Sequence, residues 1–506
     1  MASTVSPIYS TQATSAKARP WSDIAASVWF YPVVLLGLCG LLFFYGINVG
    51  EFYRTESLRA ILAEGFYRSG NWVVPKLYGE AFFTKPPLMY AIIALVSTPF
   101  GGVNEITARI PSAMSATVTV FLFYWYFGRM FGRTGGFLAA LIVPLSPMWL
   151  EKASAAELDM MQVMWTAGAI LFFLRAYEVD SGPSSETKSL HWWLLSFLFV
   201  AAGFLTKWTT PAFFYLTVLP LLWWQGRLRL LLGRKHLAGL GLALTLSLSW
   251  VAAAIYLEGW QTFYRTVYHE AMIRLQPNYS PEPYPWGETL FHPLKLLLVT
   301  LPYSAVALWT LKPGFAKFWD ERQRTLLLAL HCWVWPNMLL WSLIKEHTPR
   351  HSFPLFPAIS GLAAFVMIAW MTGKLRWRLR WPKPQHLLAG MVVFWICLKI
   401  FYVQLVVPKQ IAGRDAQVKG ALLAQLVPVG DLLYIFRLKD EGIMFYYGRN
   451  VLRVQSADEL PTGDGPVYCI LLPSELEEWQ SSRTIEVVRE MTDEQGDAMI
   501  LVRVGT

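Results

Sequence analysis

Two groups of side chains in this 506-residue chain have the types and spacing for chemistry. Glu51 and Glu56 stand close together in sequence, as do Glu157 and Asp159. Neighbouring carboxylates do general acid–base work or steady a developing cationic carbon. The second group is basic: Lys85 in FFTKPP, Lys207 in LTKWTTP, His269 and Arg274 in YHEAMIR, and Lys345, His347, Arg350 and His351 in KEHTPRHSFP. Together such cations can hold a phosphate or pyrophosphate by charge-assisted hydrogen bonds. Each group also has a plain structural explanation. Acids favour helix starts, and long cations snorkel at a bilayer surface. His269, with Glu270 and Glu282, leaves a divalent metal ion open as a cofactor, although the spacing is not diagnostic of one.

The elements that must position these residues are apolar. Of the whole chain 55% is hydrophobic and only 15% charged, where a soluble protein carries about 25% charge. A bilayer needs about 20 apolar residues per helical crossing, and such runs recur from Val28 to Val407. The expected fold class is a polytopic α-helical membrane protein. Spans are expected at 28–50, 107–128, 134–150, 160–177, 190–206, 211–225, 237–257, 294–311, 325–344, 353–372 and 386–407. That gives about 11 transmembrane helices, with roughly 13 as an upper bound. The short apolar piece 87–100, bounded by Pro86-Pro87 and Gly101-Gly102, is expected to lie in the interface. Residues 1–27 are expected to be a cytoplasmic tail before an uncleaved first helix. Cys39, Cys332, Cys397 and Cys469 show no pairing or metal spacing, so no disulfide framework is expected.

Loop charge sets the orientation. Lys17 and Arg19, Arg129 and Arg133, Arg227 to Lys235, Lys312 to Arg324, and Lys374 to Lys383 fall on one side if 87–100 does not cross. An excess of Lys and Arg marks the cytoplasmic side. The net charge of +9 thus lies in loops and does not imply nucleic acid. Loops 51–106, 151–159, 207–210, 258–293 and 345–352, which carry the acids and bases of the two groups above, face the other way; the acidic loop 178–189 fits the pattern poorly. Residues 408–506 change composition. LLYIF, VLRV, PVYCILL, IEVVREM and AMILVRV read as short strands, with helices near 413–427, 456–460 and 473–480. The expected domains are therefore the tail 1–27, a membrane domain 28–407 that includes the 51–106 loop with interfacial helices, and a small α/β domain 408–506 on the non-cytoplasmic side. An Asn278-Tyr-Ser280 sequon is also present.

The segment TESLRAILAEGFYRSGNWVVPKLYGEAFFTKPP resembles the first loop of GT-C-fold glycosyltransferases that use lipid-linked sugars. The bacterial relatives of the protein mannosyltransferases and the aminoarabinose transferases are the nearest likeness. VNEITARIPSAM, RMFGRTGG, SPMWLEKASAAELDMM, GFLTKWTTP and TPRHSFPLFPAISGLAA continue the resemblance in order over roughly 45–370. It implies a glycosyltransferase of the bacterial inner membrane, a hexosyl- or pentosyltransferase. Its partners would be a polyprenyl-phosphate sugar donor, a lipid, glycan or protein acceptor, and membrane lipids. Transfer would occur at the periplasmic face with inversion. The family's acidic pair falls on Thr55-Glu56, so Glu56 or Glu51 must replace a missing acid, and the acid before the next span falls on Asp159. Thr84-Lys85-Pro86 stands where relatives have Glu-Lys-Pro, so the family's acidic metal ligand is absent. The implied catalytic residues are Glu56, Asp159 and Glu51. The implied donor-phosphate ligands are Lys85, His269, Arg274, Lys345, Arg350 and Lys207. A polyprenyl-lipid flippase and a non-catalytic family member are the competing readings. Flippases and transporters commonly show inverted repeats, and no repeat is evident here.

Overall fold

The computed structural model describes residues 28–181, 187–275, 283–345, 347–375, 384–437, 440–461, 466–480 and 484–505. The tail with Lys17 and Arg19, the side chain of Arg274, residues 278–280, Glu282 and residues 376–383 lie outside that description.

Helix α1 (Phe30–Cys39) runs on as a π-helical turn over Gly40–Phe44. Helix α2 (Thr55–Ser69) follows and ends on Gly70 at φ +67°, a left-handed conformation that glycine adopts without strain. Strands β1 (Lys76–Leu77) and β2 (Glu80–Ala81) then form a hairpin whose turn is Tyr78-Gly79. Both turn residues have positive φ, 53° and 87°, as a two-residue turn of the primed type requires. Helix α3 (Leu88–Ser97) is the short apolar piece, and it packs Tyr90 edge-on to Phe66 of α2.

Helix α4 (Glu105–Ile142) starts on an Asn104 capping box with Thr107. It is two arms, because the chain reverses at Gly132, φ 75° and ψ 173°. The arms cross at Gly136, where a Cβ would lie 2.8 Å from Gly128 Cα. The expected spans 107–128 and 134–150 begin on these two arms. Then come α5 (Pro147–Lys152), α6 (Leu158–Asp180), α7 (Thr187–Thr206), α8 (Thr210–Trp224), α9 (Arg234–Glu258), α10 (Trp260–Leu275), α11 (Trp286–Val299) and α12 (Tyr303–Ala307). The membrane part closes with α13 (Glu321–Leu343), a 3₁₀ segment Pro349–Leu355, α14 (Phe356–Met371) and α15 (Pro384–Phe401).

Among the described residues, 7 helical segments are long and apolar enough to cross a membrane. The pair α11–α12 with its 3₁₀ extension, bent by 98°, adds an eighth if it is one span. Shorter apolar helices cover Phe30–Phe44, Leu88–Phe100 and Thr210–Trp224. The protein is a polytopic helical membrane protein. The count by length falls below the about 11 expected because α4 holds two arms and the helices in 28–50 and 211–225 are short.

Beyond α15 the chain continues through α16 (Val407–Ile411) and α17 (Ala416–Leu426) into a sheet. Its elements are β3 (Leu433–Ile435), α18 (Glu441–Tyr447), β4 (Val451–Arg453), β5 (Val467–Leu471), α19 (Pro473–Gln480), β6 (Ile485–Thr492) and β7 (Ala498–Val504). The strand order is β4-β3-β5-β7-β6, with β3 parallel to β4 and β5 and with β7 antiparallel to β5 and β6. An open edge strand invites wrong pairing, and here the β1–β2 hairpin covers β4. Arg453 N donates to Tyr78 O at 3.0 Å, and Gln455 Nε2 donates to Glu80 Oε1 at 2.8 Å. One apolar cluster runs through both parts, from Phe52, Phe66 and Tyr90 to Ile443, Val451 and Leu501. The sheet domain is therefore packed onto the first loop rather than tethered beside it.

Candidate active site

The short turn between α5 and α6 presents two acids. Glu157 is extended, φ −128° and ψ 146°, just before α6 begins, and Asp159 lies in the first turn of that helix. Unpaired amides there favour a carboxylate. Asp159 is 1% exposed and is held from two sides. Lys207 Nζ, from the tight link between α7 and α8, lies 3.0 Å from Oδ1. Arg350 Nε, from the proline-stiffened segment before α14, lies 2.5 Å from Oδ2. Arg350 also meets Glu157 through Nη2. Lys152, at the end of α5, lies 3.1 Å from the other oxygen of Glu157. Buried ions persist only when paired and hydrogen-bonded, and this network meets that condition. Burial pushes the Glu157 carboxyl above its ordinary range, while Arg350 pulls it back. For Lys152 burial acts downward, but Glu157 and Glu151 outweigh it and hold the ammonium above its usual value.

Glu56 reaches the same turn from α2. Its Oε1 accepts Ala156 N at 2.8 Å and Arg109 Nε at 2.9 Å, and Oε2 accepts Arg109 Nη2 at 3.2 Å. Arg109 also donates to the carbonyls of Ile47, Val49 and Glu51. Glu56 and Asp159 are thus brought to opposite ends of one turn. Glu51 goes elsewhere: its carboxylate accepts Ala416 N at 2.9 Å and Gln417 N at 3.0 Å, capping α17.

Lys85 forms a neighbouring cluster. Its Nζ lies 3.2 Å from Glu270 Oε2, next to His269 on α10. Trp208, adjacent to Lys207, donates Nε1 to Thr84 O at 3.2 Å and so joins the two clusters. Arg59 on α2 donates to Tyr90 OH at 3.0 Å beneath them. Lys345 is half-buried at the start of the loop that leads to Arg350. His347 is turned inward, within 2.9 Å of Thr289 Oγ1 and of Ser342 O.

Among the described residues no group of three or more His, Cys, Asp or Glu is placed to hold a metal ion. The carboxylates of the site already face Lys152, Lys207, Arg350 and Arg109. These residues do not fit a divalent ion. Lys152 and Arg109 were not singled out from the sequence. Arg109 had a usable signal, since it is a charge set inside an apolar helix.

The model for the dolichyl-phosphate-mannose-protein mannosyltransferase family matches residues 84–252. Among curated relatives, the undecaprenyl phosphate-alpha-4-amino-4-deoxy-L-arabinose arabinosyl transferase of Pseudomonas aeruginosa strain UCBPP-PA14 is 28% identical over 328 residues, 63% of this chain and 56% of the relative. A second transferase of that name, from Pseudomonas fluorescens Pf-5, is 26% identical over 79% of this chain and 67% of its own. The match thus spans little more than half the length of the first of them. The crystal structure of ArnT from Cupriavidus metallidurans bound to undecaprenyl phosphate superposes with a TM-score of 0.72 at 17% identity, covering 94% of this chain and 98% of that one. The apo oligosaccharyltransferase of Archaeoglobus fulgidus gives 0.51 at 12% identity, over 86% of this chain and 65% of that one. The chain therefore shares the fold of that ArnT along nearly its whole length, and its residues 84–252 are similar to the mannosyltransferase family.

Proposed function

We propose that this protein is a glycosyltransferase that moves a sugar from a polyprenyl-phosphate donor to an acceptor hydroxyl, with inversion. The observation that carries the reading is Asp159, buried between Lys207 and Arg350 and joined through Trp208 to the Lys85 cluster. It supplies a fixed carboxylate beside a set of cations, at loops that loop-charge asymmetry puts on the periplasmic face of the inner membrane. The donor phosphate is assigned to Lys85, Lys207 and Arg350; His269, Arg274 and Lys345 stay candidates on the sequence alone. As the bond from the sugar's anomeric carbon to the phosphate oxygen breaks, polyprenyl phosphate departs, readily once its charge is neutralised, so this is electrostatic catalysis by cations already in place.

Of Asp159 and Glu56, its partner across the turn, one takes the proton of the incoming hydroxyl as its oxygen bonds to the anomeric carbon, and the other orients it. A carboxylate gripped by two cations is a weak base, which suits a step driven mainly by the leaving group. Glu51 is the weakest of the three catalytic candidates, because its carboxylate turns to the start of α17 and not to the 153–159 turn that Glu56 and Asp159 share. No step is routed through a metal. Residues 28–407 form the membrane domain and 408–506 the periplasmic domain, which shapes the acceptor side. The relatives' names favour an aminopentose over a hexose. The acceptor is a lipid, glycan or protein of the envelope.

The test is purified protein with labelled undecaprenyl-phosphate sugars and an envelope extract. Release of free lipid phosphate with label on an acceptor supports the reading. Movement of intact donor across vesicles without release would overturn it in favour of a flippase.

A further inference from the structure

A buried ammonium lies under the acid turn, and neither cluster above uses it. Lys399 sits in α15, inside the last long apolar segment, and is 2% exposed. Its Nζ donates to Ser154 Oγ at 2.7 Å, and Ser154 Oγ donates in turn to Phe43 O at 2.9 Å. Among the described residues no carboxylate lies within ion-pair distance of it. A charge within an apolar span is expensive, and a leucine of similar length would avoid that cost. What the lysine holds is the turn 153–157. That turn is pinned at three places by three elements. Ala156 N is bound by Glu56 of α2, Glu157 O by Ser112 of α4 at 3.1 Å, and Ser154 by Lys399 of α15. Ser154 can serve only in one orientation, accepting from the lysine while donating to the carbonyl after α1.

We infer that Lys399 is a positioning residue: through Ser154 it fixes the 153–157 turn, and with it the Glu157 carboxylate against Lys152 and Arg350. Its catalytic consequence rests on the transferase reading; its structural consequence does not. Displacing a reacting group by about 1 Å can cost on the order of 100-fold in rate, so a loosened turn shows in turnover before it shows in binding.

The experiment compares full-length wild type with Lys399→Met, Lys399→Arg, Ser154→Ala and the Lys399→Met/Ser154→Ala pair. Three readouts are taken: hydrogen exchange of the peptide spanning 153–157, affinity for undecaprenyl phosphate, and transfer from undecaprenyl-phosphate-linked aminoarabinose, mannose and glucose to an envelope-lipid extract. Faster exchange at 153–157 is expected in Lys399→Met and in Ser154→Ala, with kcat at least tenfold lower and undecaprenyl phosphate affinity unchanged. Lys399→Arg should recover most of the loss, and the double variant should be no worse than either single one. Unchanged exchange in both single variants overturns the inference whatever the rates are, as do wild-type rates in both. Wild type that turns over none of the donors counts against the transferase reading, and hydrogen exchange then still decides the role of Lys399. Where Lys399→Met fails to fold, Ser154→Ala carries the same test.

Discussion

The Arg350 guanidinium lies 2.5 Å, Nε to Oδ2, from the Asp159 carboxylate, with 191 positions of chain between them. Arg350 also meets Glu157, so one side chain ties both acids to the segment before α14. Breaking a buried pair by removing one partner costs about 3–5 kcal/mol, because the other is left uncompensated. Arg350→Ala is therefore expected to lower the unfolding temperature and to abolish transfer. Arg350→Lys keeps the charge but loses the planar fork that serves two carboxylates at once. It should stay folded while transfer falls on the order of 100-fold. Thermal unfolding in detergent and donor turnover check both, and wild-type turnover by Arg350→Lys would sink the assignment.

Glu56 and Glu51 make opposite predictions although they sit on the same loop. Glu56→Gln leaves Arg109 buried without its counter-charge and weakens the bond to Ala156 N. Stability should fall by about 3 kcal/mol, and transfer should fall with it. Asp159→Asn should cost as much transfer. Glu51→Ala removes only a helix cap, worth about 1 kcal/mol, so transfer should stay within a few-fold of wild type. A Glu51→Ala protein that is folded but inactive would return Glu51 to the reacting centre.

The fold was legible where apolar periodicity was strong. The five strands expected after Val407 appear as β3 to β7, and the helix expected near 473–480 is α19. The reversal at Gly132 was legible too, because Arg129 and Arg133 mark a loop between two apolar runs. Docking was not. Nothing local says that Tyr78-Gly79 will cover β4, since that contact joins residues 375 positions apart, Glu80 to Gln455. The partners of Glu51 were hidden for the same reason. An acid near a membrane surface resembles a base until the amides of Ala416 and Gln417 are found above it. Motif order singles out Asp159 in the sequence, whereas Lys152 and Lys399 read as ordinary flanking or span residues, because Glu157 and Ser154, which they hold, lie on a turn outside their helices.

Lys85 is the cation whose loss should be felt as binding. It is mostly buried and lies 3.2 Å from Glu270. Lys85→Ala removes the ammonium proposed to meet the donor phosphate. Affinity for undecaprenyl phosphate should drop at least tenfold, which corresponds to about 1.4 kcal/mol, with the unfolding temperature little changed. Equal affinity in Lys85→Ala and wild type would move the phosphate to other residues.

The sheet domain should be held to the first loop more firmly in mild acid than in base. Burial, reinforced by the nearby Asp440, pushes the Glu494 carboxyl from about 4.5 up to about 8. Its Oε2 faces Arg54 N at 3.5 Å, Oε1 lies against Gly442, and Asp440, Glu441 and Arg414 are the charges around it. Burial raises Asp440 as well, so both acids act in the same direction. Between about 4.5 and about 8 the folded protein keeps a proton that the unfolded chain releases. The contribution is therefore full below that window and is lost as pH rises through about 8. Limited proteolysis should cut between α17 and β7 faster at pH 9 than at pH 6. Glu494→Gln, neutral at both values, should flatten that difference while leaving resistance at pH 6 close to wild type. A pH slope that survives the substitution would place the titrating group elsewhere in the domain.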